Sequence, residues 1–91
     1  MWRILHTINS FTWLIFNMSK RKVLVQFGEK VRELRKEKGL SQEELSYKSD
    51  LHRTYIGMIE RAEKNITLVN IEKIAKGLNV ELKDFFNSTK K

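Results

Sequence analysis

Apolar residues recur three or four positions apart along the chain, which is the period of an amphipathic helix and not of a strand. Phe27, Val31 and Leu34 form one such stripe, and Gly39 follows it as a typical helix stop. A denser stripe of the same kind follows Thr67, a typical N-cap residue. We therefore predict an all-α chain. Its helices are expected over about residues 23–38, 42–49, 53–61, 68–78 and 81–86.

The stretch Ser41–Arg61 predicts two short helices joined by a tight turn. Ser41 with Glu44 three positions later is the signature of a capping box, which fixes where the first of these helices begins. If the chain turns at Asp50, the apolar residues of both helices share one side. The apolar set is Leu45, Leu51, Ile56 and Ile59, and the polar set opposite is Gln42, Arg53, Thr54 and Tyr55. This pattern is typical of a helix-turn-helix, whose second helix enters the DNA major groove.

The composition narrows the possible functions. With 18 Lys and Arg against 11 Asp and Glu, the net charge of +7 favours a polyanionic partner, although a solvated lysine-rich surface explains it equally well. The chain has no cysteine and only 2 histidines, so we expect no disulfide framework, no metal site and no cofactor, in a cytoplasmic, nucleoid-associated protein. No catalytic triad, P-loop or metal-ligand spacing is present, so we predict that the chain is not an enzyme.

Residues 1–17 differ from the rest because they carry one charge, Arg3, and both tryptophans. A membrane anchor is one interpretation, but the uncharged run is shorter than the ~20 residues that a span requires. A packing or oligomerisation segment is another. The third, which we favour, is that the natural chain begins at Met18. The predicted division is an N-terminal extension over 1–17, a basic lead-in over 18–22, a DNA-binding domain over 23–87 and a tail over 88–91.

Residues Phe27–Phe86 resemble the helix-turn-helix domains of phage repressors of the lambda Cro and cI type. The resemblance rests on ELRKEKGLSQEELSYKSDLHRTYIGMIERAEKN and the later IEKIAKGLNV. Within that family, YKSDLHRTYIGMIER followed by NITL is similar to the controller proteins of restriction–modification systems. The resemblance implies a compact five-helix bundle with the helix-turn-helix in its second and third helices. It also implies a homodimeric regulator that binds a palindromic operator at its own promoter.

The resemblance further implies roles for individual residues. Gln42 matches the position that hydrogen-bonds a DNA backbone phosphate, and Arg53 and Thr54 match positions that touch base edges. Arg35 and Glu60 match a partly buried ion pair between the first and third helices. The remaining predicted DNA contacts are Tyr55, Met58, Arg61, Lys64 and Asn65.

Some of these roles have competing interpretations. Tyr55 can contact DNA or belong to the core, and Met58 can touch a thymine methyl or fill a gap. Arg61 is expected to face phosphate rather than bases, and Lys64 to meet phosphate from the loop after the recognition helix. The family's function also leaves an alternative open, namely a phage-type repressor or antitoxin-like module that acts mainly through a protein partner. A module that binds a protein partner predicts an apolar or acidic face on the recognition helix, and Arg53, Thr54 and Tyr55 argue against that alternative.

Four residues depart from the family pattern. Asp50 stands where glycine is usual in the turn, and aspartate tolerates the left-handed conformation expected there. Ser46 replaces alanine and therefore needs a hydrogen bond to helix backbone. His52 replaces the commoner Ser or Asp cap. Gly57 lies within the recognition helix, where it either permits close backbone approach to DNA or makes no contact.

The last predicted helix has a strongly apolar face formed by Leu82, Phe85 and Phe86. A short terminal helix that leaves two phenylalanines bare is unfavourable for a monomer. We therefore expect one ring to complete the core and the other to meet a partner subunit. These three residues form the predicted dimer interface.

Overall fold

The computed structural model describes the backbone of residues 10–86 and the side chains of residues 21–86. These residues form α1 (Ser10–Glu37), α2 (Gln42–Ser49), α3 (Arg53–Glu60), α4 (Leu68–Leu78) and a 3₁₀ helix (Leu82–Phe85). No strand occurs in this part of the chain, so the predicted all-α fold is confirmed, with a 3₁₀ helix as its last element. The predictions that concern residues 1–9 and 87–91 lie outside the described residues.

Helix α1 begins at Ser10 and not at about Val23, so the predicted start of the first helix is wrong. Residues 10–22 contain neither glycine nor proline, so nothing in them stops a helix, and the basic stretch 18–22 is part of it. The apolar stripe of Phe27, Val31 and Leu34 marks residues of α1 that belong to the core, and it carries no signal for where the helix begins. None of the described helices is both long and apolar enough to cross a membrane.

The predicted caps are present at the ends of the short helices. Ser41 Oγ accepts a hydrogen bond from Glu44 N at 2.9 Å, and Ser41 N donates to Glu44 Oε1 at 2.8 Å, so the capping box is confirmed. Thr67 Oγ1 accepts from Asn70 N at 3.1 Å at the start of α4. Asp50 has φ 57°, the left-handed conformation expected of the turn between α2 and α3.

The core lies between the four α-helices and is closed by the 3₁₀ helix. Phe85 is 6% exposed, and its ring centroid lies 5.1 Å from that of Phe27, whereas Phe86 is 60% exposed. Phe85 therefore packs in the core of its own chain, which leaves Leu82 and Phe86 as the exposed members of the predicted dimer interface. The buried apolar residues are Phe27, Val31, Leu34, Leu45, Ile56, Ile59, Ala62, Ile71, Ile74, Ala75, Leu78 and Phe85.

Helices α1 and α3 approach so closely that their backbones touch at Gly28. A Cβ atom at this position would clash with the carbonyl oxygen of Ile59 and would lie 2.9 Å from that of Glu60. Backbone atoms cannot move aside as a flexible side chain can, so only glycine fits. Gly28 therefore sets the distance between α1 and the helix that is predicted to enter DNA.

We predict that Gly28→Ala lowers the free energy of unfolding by about 2–3 kcal/mol, because overpacking forces the two helices apart. Helix propensity alone favours alanine at this position by about 1 kcal/mol, so the clash has to outweigh that gain. Urea denaturation followed by circular dichroism measures the difference.

Gly39→Ala is the matched control, since Gly39 has φ 70° and nothing lies within 4 Å of its missing Cβ. Its cost is confined to left-handed backbone strain, about 1–2 kcal/mol. A Gly28→Ala variant as stable as the wild type would contradict the close helix contact.

Candidate nucleic-acid interface

Gln42, Arg53 and Thr54 lie together on one face of the domain, as the sequence predicts, whereas Tyr55, the fourth member of the predicted polar set, packs against the core. Leu45, Ile56 and Ile59 point into the core, while Arg53 and Thr54 are exposed. Between the two helices the surface forms a shallow groove of about 360 Å³. We call it the α2–α3 groove. It is lined by Gln42, Glu43, Arg53, Thr54, Gly57 and Arg61.

His52 caps the start of α3. Its Nδ1 accepts a hydrogen bond from Thr54 N at 3.1 Å, so the predicted histidine cap is confirmed. On the core side of the turn, Ser46 Oγ donates to Glu43 O at 2.6 Å, which is the backbone hydrogen bond expected of a serine at this position. These bonds place Arg53 and Thr54 in the exposed first turn of α3.

Arg53 forms an ion pair across the groove. Its Nη1 lies 3.7 Å from Glu43 Oε1, and both side chains are more than half exposed, at 67% and 53%. The pair is open to solvent, so it holds Arg53 only weakly. Arg53 is therefore free to exchange Glu43 for a better acceptor.

Glu60 links three helices through hydrogen bonds. It accepts from Arg35 Nε at 2.7 Å and from Arg35 Nη2 at 3.1 Å, which forms the expected ion pair between α1 and α3. The Arg35 side chain is 11% exposed and that of Glu60 is 4% exposed. Glu60 Oε1 also accepts from Gln42 Nε2 at 3.0 Å, a contact that the sequence did not reveal. This bond fixes the Gln42 amide while leaving its second N–H free to donate.

Tyr55 is half-buried and packs against the core, so it is not a freely projecting side chain. Its hydroxyl oxygen accepts from Asn70 Nδ2 at 2.9 Å. The hydroxyl proton can still be donated to another acceptor, so the predicted DNA contact stays compatible with this geometry. Asn70 comes from α4, and only the folded chain brings it to α3.

Arg61 forms a two-point ion pair with Glu63 just beyond the end of α3. The N–O distances are 3.0 Å from Nε to Oε2 and 3.2 Å from Nη2 to Oε1. The hydrogen bond with Glu63 raises the pKa of Arg61, and the same bond lowers the pKa of Glu63. Arg61 also lines the α2–α3 groove. Its partner Glu63 is a residue to which no pattern in the sequence had pointed.

The other predicted DNA contacts lie apart from the groove. Lys64 and Asn65 are exposed in the loop after α3, and Met58 is half-buried on the helix. Ala62, in the same turn, has φ 61° and is 8% exposed, a left-handed conformation that alanine rarely adopts. Among the described side chains, no cluster of three or more His, Asp or Glu could hold a metal ion.

These features define a class of protein. The outer face of α2 and α3 is polar and exposed and presents Arg53, as expected of a DNA-contacting helix-turn-helix. A model of the HTH_3 helix-turn-helix family matches residues 31–85. The chain belongs to this helix-turn-helix family.

Its relatives include control proteins of restriction–modification systems. The control protein C.BamHI of Bacillus amyloliquefaciens is 53% identical over 64 residues, which is 69% of this chain and 79% of that protein. The control protein C.MunI of a Mycoplasma species is 44% identical over 70 residues, which is 76% of this chain and 95% of that protein.

A solved structure agrees with these relatives. The restriction–modification controller protein C.AhdI from Aeromonas hydrophila superimposes with a TM-score of 0.68 at 51% identity, covering 69% of this chain and 96% of that one. The resemblance to controller proteins found in the sequence is thereby confirmed. The names of these proteins describe regulators, in agreement with the predicted non-enzymatic function.

We predict that Glu60→Gln lowers the free energy of unfolding by about 3 kcal/mol, because removing one member of a buried ion pair leaves the other charge uncompensated. Arg35 would keep its hydrogen bond to Leu40 O, at 2.8 Å, as its main partner. Urea denaturation measures the loss.

Glu81→Gln provides the control, since it breaks the Lys83–Glu81 pair, in which both side chains are 75% exposed. A surface pair of this kind contributes little, so a much smaller loss is expected. Equal losses for the two variants would mean that Glu60 contributes no more than a surface contact.

Proposed function

We propose that this chain is a sequence-specific DNA-binding regulator of the restriction–modification controller type. It acts as a homodimer on a palindromic operator and regulates its own promoter, in the cytoplasm and in association with the nucleoid. The observation that carries the proposal is the exposed first turn of α3, where Arg53 and Thr54 line the polar α2–α3 groove. The names of the relatives support the controller role.

The chemistry of the groove supports contacts with both bases and phosphates. Arg53 can donate two hydrogen bonds to guanine O6 and N7, and Thr54 can offer its hydroxyl or its methyl group to a base edge. Gln42 keeps one amide N–H for a phosphate oxygen, with its orientation set by Glu60. Lys64 and Asn65 can contact the phosphate backbone from the following loop, and phosphate contacts of this kind supply affinity without selecting a sequence.

The exposed apolar surface supports a dimer. Leu82 and Phe86 are 42% and 60% exposed, and Val23 on α1 is 59% exposed. With Phe27 and Phe85, the side chains of Val23 and Phe86 line a surface groove of about 470 Å³ between α1 and the 3₁₀ helix. A dimer that binds two half-sites one turn of DNA apart needs its two α3 helices about 34 Å apart.

We predict that Arg53→Ala lowers affinity for the operator about 5- to 150-fold while relaxing base preference, because a bidentate arginine–guanine contact discriminates by about 1–3 kcal/mol. Gln42→Ala, which removes a phosphate contact, is expected to weaken all DNA sequences alike. Footprinting and competition binding on the DNA upstream of the protein's own gene measure both effects.

Lys76→Ala is the charge-matched control, since Lys76 is exposed on α4 away from the groove. It should leave base preference unchanged. Equal losses of base preference in Arg53→Ala and Gln42→Ala would contradict the assigned contacts, and the absence of a protected palindrome would contradict autoregulation.

We predict that Phe86→Ser shifts the protein from dimer to monomer, because it removes an exposed aromatic ring from the proposed interface. Sedimentation equilibrium distinguishes a single 10.9 kDa chain from a pair. Circular dichroism at the same concentration checks that the variant remains folded.

Tyr47→Ser is the matched control, since Tyr47 is an even more exposed aromatic residue on α2, at 77%. It should leave the dimer intact. A dimer that persists in folded Phe86→Ser would place the interface elsewhere.

A further inference from the structure

Arg61 is held in a defined orientation although it lies in solvent. Its side chain is 57% exposed and that of Glu63 is 51% exposed, so burial does not fix either of them. What fixes them is the pair of parallel N–H···O bonds from Nε and Nη2 to the two carboxylate oxygens. Such a two-point contact sets the plane of the guanidinium as well as its position.

The contact with Glu63 leaves a second donor edge of Arg61 unused. A guanidinium carries five N–H groups, and Glu63 takes one on Nε and one on Nη2. The remaining donors are both hydrogens of Nη1 and one of Nη2, which together form another fork. That fork matches two neighbouring acceptors, either two phosphate oxygens or guanine O6 and N7.

Gly57 provides the space in which this free edge lies. A Cβ atom at Gly57 would be 3.1 Å from Arg61 Nη1, which is tight enough that the guanidinium would have to shift by a few tenths of an ångström. Gly57 stands one helical turn before Arg61, and both residues line the α2–α3 groove. Glycine within a helix costs about 1 kcal/mol relative to alanine, so its presence here is unfavourable for α3 itself.

We propose that Glu63 and Gly57 are positioning residues that hold the free edge of Arg61 over the α2–α3 groove, ready for a pair of acceptors on DNA. The inference rests on the proposed DNA-binding function and names the residues that complete its site. Arginine side chains lose much rotamer freedom when they bind a ligand. Glu63 removes that freedom in the unbound protein, so less is lost on binding DNA.

Whether removal of the Glu63 carboxylate raises or lowers DNA affinity distinguishes a positioning role from mere proximity to DNA. An acid that merely lies near DNA repels the phosphates, so its removal raises affinity for every sequence. An acid that orients Arg61 has the opposite effect at the operator, because its removal releases the guanidinium.

The experiment uses the duplex that the wild-type protein selects from a random-sequence pool, with affinities measured by fluorescence anisotropy at fixed salt. Glu63→Gln is expected to weaken binding to this duplex by about three- to tenfold. Glu81→Gln, which removes the same charge from a site at the 3₁₀ helix, should leave affinity unchanged or slightly higher.

Gly57→Ala gives an independent measurement with a built-in control for folding. Its thermal stability is expected to be equal to or above that of the wild type, because alanine favours the helix. Its affinity for the selected duplex should nevertheless fall by about three- to tenfold. In an Arg61→Ala background, neither Glu63→Gln nor Gly57→Ala should cause a further loss, since both act through Arg61.

The outcomes distinguish the inference from the function on which it rests. If the wild type selects no sequence, the proposed function is refuted and the inference with it. If the wild type selects a duplex that Glu63→Gln binds as tightly or more tightly, only the positioning role is overturned. If Glu63→Gln and Gly57→Ala still lower DNA affinity by the full amount in the Arg61→Ala background, the positioning role is overturned as well.

Discussion

The position of α3 depends on its contact with α1. Gly28 lets the two backbones touch, and two turns further along α1 the Arg35–Glu60 ion pair joins the same helices. The Glu60 side chain is 4% exposed, so losing its arginine partner would leave a carboxylate uncompensated in a poorly hydrated place. Since Glu60 also accepts from Gln42, this one carboxylate fixes α1, α2 and α3 relative to one another.

This arrangement explains how acids can stand on a surface that faces a polyanion. Three glutamates on or beside the α2–α3 groove each engage an arginine, so their charges balance locally. The surplus of +7 is therefore carried by the rest of the chain. Basic residues outside the groove can then supply an attraction to a polyanion that does not depend on base sequence. The pairs are Glu43 with Arg53, Glu60 with Arg35 and Glu63 with Arg61.

Features with local signals could be predicted from the sequence. Ser41 and Glu44 lie three residues apart, so their capping box needs no knowledge of the rest of the fold. The approach at Gly28 and the bond from Asn70 to Tyr55 join residues far apart in the sequence, and no local pattern marks them. The start of α1 was predicted wrongly for another reason. The apolar stripe that located the helix begins at Phe27, and it carries no signal for where the helix starts.

The candidate site likewise has some features that a local pattern predicts and others that depend on the folded chain. The exposure of Arg53 and Thr54 follows from the period of α3, and it was predicted correctly. The partner of Gln42 could not be predicted, because it lies on the next helix and its position depends on the turn at Asp50. The resemblance to known repressors supplied the Arg35–Glu60 pair, which the pattern of apolar residues does not indicate.

The histidine cap changes the chemistry at the N-terminus of α3. Because His52 Nδ1 accepts from Thr54 N, the neutral ring must carry its proton on Nε2. The serine or aspartate usual at this position would leave a hydroxyl or a carboxylate there. This chain instead sets one tautomer of an exposed imidazole, whose remaining N–H is a donor beside Arg53. The residue that caps the start of α3 thus also supplies a hydrogen-bond donor.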